Sequence, residues 1–124
     1  MNVVDSSGWF EYFADGPNAN AFAKPIESSG SLIVPSLSLY EVFKRIVRQR
    51  GEDLALQAIA VMEQGRIVDP DRSLALAAAQ LSIELKLPLV DSVLLATARG
   101  TGAVLWTQDS DFELIPGVRY FPKH

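Results

Sequence analysis

The chain has 124 residues, of which 48% are hydrophobic and 21% charged, and its formal net charge is −4. This length and composition predict one globular domain with its own apolar core. Cysteine is absent and histidine occurs once, at His124, so thiol catalysis and Cys-ligated metal sites are excluded and a Ser-His-Asp triad is disfavoured. Any metal site in this chain therefore has to be built from oxygen ligands.

Neither a targeting segment nor a membrane helix is expected. The N-terminus reaches a carboxylate at Asp5 after a short apolar run, and the most apolar stretch, residues 73–90, is interrupted by Gln80, Glu84 and Lys86. The expectation is a soluble, cytoplasmic protein with no membrane partner. Its acidic charge argues against a simple basic nucleic-acid binder, but not against an enzyme that meets phosphates through bound cations.

Short β-rich runs alternate with longer helical runs, a pattern typical of a parallel sheet covered by helices. The N-terminal half is predicted to contain a strand at 2–4, helices at 7–14 and 18–27, a strand at 32–34, and helices at 39–49 and 52–64. The C-terminal half is predicted to contain a strand at 66–68, helices at 71–88 and 91–99, a strand at 104–106 and an edge strand at 118–120. The expected fold is a single α/β domain with a mostly parallel central sheet flanked by α-helices.

Acidic residues occur where ligands bind in such folds, beyond the carboxyl ends of the strands. Asp5 follows the first predicted strand, and Glu41 lies near the start of the helix after the second. Asp91 follows the apolar run 87–90, and Asp109 and Asp111 follow the strand at 104–106. Four predicted β-to-α junctions therefore deliver an acid to the same edge of the sheet.

Each acid also has a structural interpretation. Asp5 and Asp91 are suited to capping helices, Glu41 to complementing a helix dipole, and Asp109 and Asp111 to an ordinary polar turn. Taken together, the acids favour a metal site, because converging carboxylates repel one another unless a cation joins them. Neither Asp5 nor Asp91 has an Arg or Lys close in sequence to serve as its partner.

Oxygen-only ligation by carboxylates and water suits Mg²⁺, with Mn²⁺ as a substitute. Magnesium held by acids, without a phosphate-binding loop, fits hydrolysis of a phosphodiester by one or two ions. Ser7 and Thr107, together with Ser6, lie beside these acids and are candidates to orient a carboxylate or a water. Ser7 is equally suited to capping its helix.

The order of these residues resembles that of PIN-domain nucleases, and most closely that of the VapC-type toxins of bacterial toxin–antitoxin pairs. The resemblance covers nearly the whole chain and is carried by Asp5-Ser6-Ser7, Glu41, Val90-Asp91 ahead of Leu95-Ala96-Thr97-Ala98, Thr107-Gln108-Asp109-Ser110-Asp111-Phe112 and Ile115-Pro116-Gly117-Val118. It implies a PIN-like three-layer fold over residues 1–124 and a Mg²⁺-dependent endoribonuclease that is neutralised by a cognate antitoxin and is often dimeric.

The resemblance also assigns roles to the acids. Asp5 and Asp91 would be the firmest metal ligands, Glu41 would activate water and Asp109 would support a second ion. Asp111 offers a further acid in the same loop, so the choice of the fourth ligand stays open. The chain has Val90-Asp91-Ser92 where family members commonly have Ala-Asp-Ala, which keeps the acid and alters its neighbours.

Three basic residues accompany Glu41 on its predicted helix. Lys44, Arg45 and Arg48 lie three, four and seven positions after Glu41, which places them roughly on its face. They are the candidates for contacting an RNA backbone. The alternative is a solvated helix surface with internal Glu–Lys pairs.

Aromatic residues cover more than one face of the first predicted helix, which indicates a partner interface at Trp9, Phe10, Tyr12 and Phe13. In the family's terms this helix would contribute to the antitoxin groove, and another apolar surface would join two subunits. Residues 54–56 and 58–62 are likewise apolar almost all round. The alternative for each residue is burial inside the monomer.

Two other functions compete with the nuclease. The first is a catalytically silent PIN-fold protein-interaction module, against which the intact acidic set argues. The second is an aspartate-based phosphotransferase with Asp5 as nucleophile, which is disfavoured because Ser7 stands where such enzymes have a second acid.

Overall fold

A computed structural model of the chain describes all residues from 1 to 124. Its five strands form one sheet in the order β3-β2-β1-β4-β5, and every neighbouring pair is parallel. The strands are β1 (Asn2–Val4), β2 (Leu32–Pro35), β3 (Arg66–Val68), β4 (Val104–Thr107) and β5 (Val118–Tyr120). This arrangement confirms the predicted α/β fold with a parallel central sheet and an edge strand at 118–120.

Six helices connect the strands and cover the sheet. They are α1 (Ser6–Phe13), α2 (Ala19–Ile26), α3 (Ser36–Arg50), α4 (Glu52–Met62), α5 (Arg72–Leu85) and α6 (Leu89–Thr101). Two short 3₁₀ turns, Ser29–Ser31 and Ser110–Phe112, lie before β2 and after β4. Parallel strands need crossover connections, and these helices supply most of them.

The sheet is buried on both faces. Val4 and Val34 point to a core that also contains side chains from α1 to α4, whereas Val3 and Ile33 point to a second core with α6. Successive side chains of these strands therefore face opposite sides of the sheet, as the two-residue period of a β-strand requires. The result is three layers, with the sheet between two groups of helices.

The connection before Asp91 differs from the prediction. Residues 87–90 do not form a strand, because α5 ends at Leu85, Lys86 adopts a left-handed conformation with φ of 56°, and α6 begins directly after Pro88. Proline suits the position before a helix because it lacks an N–H. Asp91 thus reaches the sheet edge from the first turn of α6, which follows another helix and not a strand. The prediction that Asp91 lies at a β-to-α junction is therefore wrong.

The start of α3 also differs. The helix begins at Ser36 and not at residue 39, and Pro35 precedes it in an extended conformation. Glu41 consequently lies in the second turn of α3, beyond the first turn where an acid complements the helix dipole.

The aromatic residues of α1 divide between core and surface. Trp9 has no exposed surface and stacks on Phe13 with ring centroids 5.7 Å apart. The prediction that Trp9 contacts a partner is therefore wrong, because the core of the monomer already encloses its indole. Phe10, Tyr12 and Phe13 pack against the same core but stay partly exposed.

No single helix is both long and apolar enough to cross a membrane. The helices α5 and α6 satisfy length and composition only as a pair, and the pair is bent by 115°.

Candidate metal centre

Carboxylates from distant parts of the chain converge at the carboxyl edge of the sheet. The carboxylate oxygens of Asp91, Asp109 and Asp111 lie within 4.8 Å of one another. Asp5 and Glu41 are close enough to these acids to raise the pKa of Asp91. Three of the five acids singled out in the sequence therefore form a compact cluster, and Asp5 and Glu41 lie near Asp91 beside it.

Asp5 is the most buried member, with 3% of its surface exposed. Its Oδ1 accepts hydrogen bonds from Ser7 Oγ at 2.6 Å and from the Gly8 amide at 3.0 Å, and its Oδ2 accepts one from Thr107 Oγ1 at 2.5 Å. The Gly8 bond makes Asp5 the N-cap of α1, so the structural interpretation of this residue also holds. Burial and, to a smaller extent, the nearby Asp109 raise the pKa of Asp5, these hydrogen bonds lower it, and the net result is a pKa of about 6.

The two hydroxyls that bind Asp5 are themselves fixed by backbone amides. Ser7 Oγ accepts a hydrogen bond from the Gln108 amide at 3.2 Å, and Thr107 Oγ1 accepts one from the Asp109 amide at 2.9 Å. Since each hydroxyl oxygen receives an N–H, its own proton is free to point at Asp5. Ser7 and Thr107 thus orient the Asp5 carboxylate, and the N-cap of α1 is Asp5 and not Ser7.

Asp91 lies half-buried in the first turn of α6, whose N-cap is Pro88, so the helix-cap interpretation of Asp91 fails. Burial, as the largest cause, and four neighbouring acids together raise the pKa of Asp91 to about 7, and the acids contribute in the order Asp109, Asp5, Glu41 and Asp111. No cation is among the groups that shift it. The site is therefore a concentration of negative charge without a basic side chain to balance it.

Glu41 is held by the beginning of α1. The hydroxyl of Ser6 donates a hydrogen bond of 2.5 Å to Glu41 Oε1, and the two residues are 35 positions apart in the sequence. This bond connects the N-terminal turn of α1 to the second turn of α3. It fixes one oxygen of Glu41 and leaves the other available.

Asp109 and Asp111 sit in the turn after β4. The side chain of Asp109 accepts a hydrogen bond of 2.9 Å from the Asp111 amide and so caps the 3₁₀ turn Ser110–Phe112. Asp109 is half-buried and Asp111 is exposed. Phe112, which follows them, is fully buried and anchors the turn in the core.

The chemistry of the donors fits a hard divalent cation. Every candidate ligand is a carboxylate oxygen, three of the acids approach one another within 4.8 Å, and no lysine or arginine compensates them. Carboxylate oxygens are the ligands that Mg²⁺ and Mn²⁺ prefer. The residues present therefore fit such an ion.

Three basic residues of α3 lie at the surface of the protein. Lys44, Arg45 and Arg48 are exposed. The Lys44 ammonium lies 5.4 Å from the centre of the Tyr40 ring, and the Arg45 guanidinium lies 4.2 Å from that of Phe10. Glu41 accepts its hydrogen bond from Ser6, so the predicted alternative of an internal Glu–Lys pair on this helix is not formed there.

Two buried amides beside the site were not predicted. Asn18 and Gln108 are 8% and 7% exposed, and the Asn18 side chain donates a hydrogen bond of 3.0 Å to Gln108 Oε1. The only signal in the sequence was the position of Gln108 between two candidate site residues, Thr107 and Asp109.

Residues 3–118 match the PIN domain family. Because this match covers most of the sequence, the chain belongs to the PIN domain family.

Solved structures with a similar fold include proteins of toxin–antitoxin complexes. A toxin–antitoxin complex from Klebsiella pneumoniae is similar with a TM-score of 0.79 and 23% identity, over 95% of each chain. A DNA-bound VapBC complex from Salmonella typhimurium has a TM-score of 0.76 and 18% identity, over 98% of this chain and 97% of the other. A sarcin-ricin loop cleaving VapC toxin from Mycobacterium tuberculosis has a TM-score of 0.75 and 19% identity, over 94% and 95%. No curated protein matches the sequence.

Proposed function

We propose that this protein is a divalent-metal-dependent endoribonuclease and the VapC-type toxin of a toxin–antitoxin pair. The observation that carries the proposal is the convergence of Asp91, Asp109 and Asp111, with Asp5 and Glu41 near Asp91 and no basic side chain among the groups that shift its pKa. Membership of the PIN family supports the proposal, as does the likeness to toxins from toxin–antitoxin complexes.

The proposed cofactor is Mg²⁺, for which Mn²⁺ can substitute. Asp5 and Asp91 are the proposed principal ligands, and the remaining protein ligands are drawn from Glu41, Asp109 and Asp111. When bound, the ion supplies charge neutralisation and activation of water next to a phosphodiester.

The chain's own residues then have separate tasks. Glu41 accepts the proton of the attacking water while the water oxygen bonds to phosphorus and the bond to the leaving oxygen breaks. Ser6 holds Glu41 by its hydrogen bond, and Ser7 and Thr107 hold Asp5. The exposed basic residues of α3, Lys44, Arg45 and Arg48, are the proposed contacts for the RNA backbone.

The proposed antitoxin site is a groove of about 380 Å³ between α1, α3 and α4. Its apolar lining includes Phe10, Phe13 and Ile46, and Arg45 and Arg50 stand beside them. Such a groove suits a helix that presents apolar anchors to it. Tyr12 does not line the groove and donates a hydrogen bond of 2.9 Å to Glu27, so the proposed interface keeps Phe10 and Phe13 from the predicted set.

The proposed homodimer uses a second apolar surface. A groove of about 570 Å³ runs along α5 and the start of α6, lined by Ala75, Ala79 and Val93. Ile83 and Leu89 project beside it with 80% and 74% of their surfaces exposed. A two-fold interface between identical chains needs a self-complementary patch, and a groove beside large projecting side chains offers both halves of such a contact.

Incubation with total RNA, with and without Mg²⁺, followed by mapping of the fragment ends, tests the proposed activity. Defined ends are expected only with Mg²⁺ and only for the wild type and for Asp53→Asn, an exposed acid on α4 that serves as control. Asp91→Asn is expected to give no fragments. Wild-type protein that leaves RNA intact in the presence of Mg²⁺ would favour the silent interaction module.

A further inference from the structure

A pair of buried amides fastens the loop that carries Asp109. Asn18 Nδ2 donates to Gln108 Oε1 at 3.0 Å and to the Pro122 carbonyl at 2.9 Å. The three residues come from the turn before α2, the loop after β4 and the C-terminal segment. Buried amides need such partners, because an unpaired buried polar group is costly. We call Asn18 and Gln108 the amide clamp, and residues 107–112 the site loop.

Gln108 also donates two hydrogen bonds to Ser7, in the first turn of α1. Its Nε2 donates to the Ser7 carbonyl at 3.4 Å, and its backbone amide donates to Ser7 Oγ at 3.2 Å. The second bond occupies a lone pair of the hydroxyl oxygen, so the hydroxyl proton is directed to Asp5 Oδ1, 2.6 Å away. The backbone amide of Gln108 thereby sets the direction of the hydrogen bond from Ser7 to Asp5.

The neighbours of Gln108 in the sequence both serve the acidic cluster. Thr107 donates to Asp5 Oδ2, and the Asp109 amide donates to Thr107 Oγ1. Fixing position 108 therefore fixes Thr107 on one side and Asp109 on the other. The far end of the site loop is anchored separately by the buried Phe112.

We propose that Gln108, fastened by Asn18, is a positioning residue that holds the site loop so that Asp109 and Asp5 face the same metal ion. The inference rests on the metal centre proposed above. Neither Asn18 nor Gln108 is a proposed metal ligand. Both act only through the groups that they orient. Partners that orient metal ligands typically alter metal affinity about 10–100-fold when they are removed.

The test uses the full-length chain and the variant Gln108→Met, which keeps the length of the side chain and removes its amide. Amide hydrogen exchange in EDTA is expected to become faster in residues 107–112, independently of any metal. The Kd for Mg²⁺, measured by calorimetry on the folded variant, is expected to rise about tenfold or more. Gln80→Met, at an exposed position of α5, is the matched control and is expected to change neither quantity.

Asn18→Ala is the second variant. It tests the positioning role of the amide clamp if Gln108→Met does not fold. It removes the partner of Gln108 and leaves the bonds from Gln108 to Ser7, so changes in the same direction and of smaller size are expected. A lower Tm with unchanged exchange in the site loop and unchanged Kd for Mg²⁺ would overturn the proposal, because that is the signature of a structural amide pair. Wild-type protein that binds no Mg²⁺ would overturn the metal centre itself, whereas a wild type that binds and variants that bind equally well would overturn the clamp alone.

Discussion

Asp5 combines nearly complete burial with the absence of a cationic partner. Its oxygens accept hydrogen bonds from Ser7, Gly8 and Thr107, which lower its pKa, yet burial dominates and raises that pKa from 3.8 to about 6. This rise corresponds to roughly 3 kcal/mol of unfavourable ionisation free energy at pH 8. In the metal-free protein, ionisation of this proposed metal ligand therefore opposes folding.

Asp5→Asn is expected to abolish Mg²⁺-dependent RNA cleavage and to stabilise the metal-free protein. Asparagine stays neutral, so the variant avoids the ionisation penalty, and its free energy of unfolding at pH 8 in EDTA should rise by about 1–3 kcal/mol. Chemical denaturation measures this quantity. At pH 4 the gain should disappear, which makes the same variant its own control. Full cleavage activity in Asp5→Asn would remove Asp5 from the metal centre.

The stability of the metal-free protein is expected to fall as pH rises. The pKa of Asp5 is raised to about 6 and that of Asp91 to about 7, so the folded state holds more protons than the unfolded state above pH 4. Their contribution to stability is complete below about pH 4 and is lost as pH rises through 6 to 7. Melting temperatures in EDTA from pH 4 to pH 8 test this sign. The double variant Asp5→Asn, Asp91→Asn should flatten the profile, and an equally steep profile in that variant would contradict the assignment.

At the scale of elements, apolar runs such as Leu32-Ile33-Val34 and the glycines and prolines between them sufficed to predict every strand. They could not predict the packing of neighbouring helices. The sequence pattern assigns Trp9 to a partner interface because its helix is aromatic on several sides, but the alternative of burial holds, since α2 and the sheet enclose it. The run at 87–90 is predicted to deliver Asp91 from a strand, but α6 begins directly after Pro88 and includes residues 89 and 90.

The packing of α1 on β1 and α2 depends on Gly8. A Cβ atom at this position would lie 2.6 Å from Val4 Cγ1 and 2.7 Å from the Phe22 ring, so Gly8→Ala is expected to destabilise the fold by about 1–3 kcal/mol. Urea denaturation measures the change. Gly100→Ala in α6, where nothing lies within 4 Å, is the matched control and should stabilise by about 0.5–1 kcal/mol. Equal effects of the two substitutions would contradict the close approach at Gly8.

The exposed face of α3 is expected to set the salt dependence of RNA binding. Arg48→Ala should reduce the slope of log K against log salt concentration by about 0.7 for each phosphate that the arginine neutralises, and should affect turnover at saturation less. Fluorescence anisotropy with a catalytically inactive background, Asp91→Asn, measures the slope. Arg72→Ala, an exposed arginine on α5, is the control. A slope that Arg48→Ala leaves unchanged would place the RNA on another surface.

At the scale of the whole molecule, the sheet order β3-β2-β1-β4-β5 brings Asp5 and Asp109 to the same edge although 104 positions separate them. Strand patterns predicted this convergence because parallel strands share a carboxyl edge. The amide pair of Asn18 and Gln108 had no such signal, since it depends on how a turn and a loop 90 residues apart meet in space. Side-chain partners of this kind follow from the packed fold and not from local pattern.

The apolar surface on α5 and α6 is expected to join two copies of the chain. Ile83→Glu places a charge in the centre of the proposed contact and should convert the dimer to a monomer, because a buried unpaired charge is costly. Sedimentation equilibrium measures the mass. Leu114→Glu, at a side chain that is 93% exposed, is the control and should leave the dimer intact. A monomeric wild type would remove this interface.

Anomalous diffraction from a crystal soaked in Mn²⁺ tests the central claim most directly. We expect a peak among the carboxylates of Asp5, Asp91 and Asp109, with oxygen ligands only, and no such peak in Asp91→Asn. A wild-type crystal with no bound manganese between these side chains, or with a basic residue occupying that space, would contradict the account.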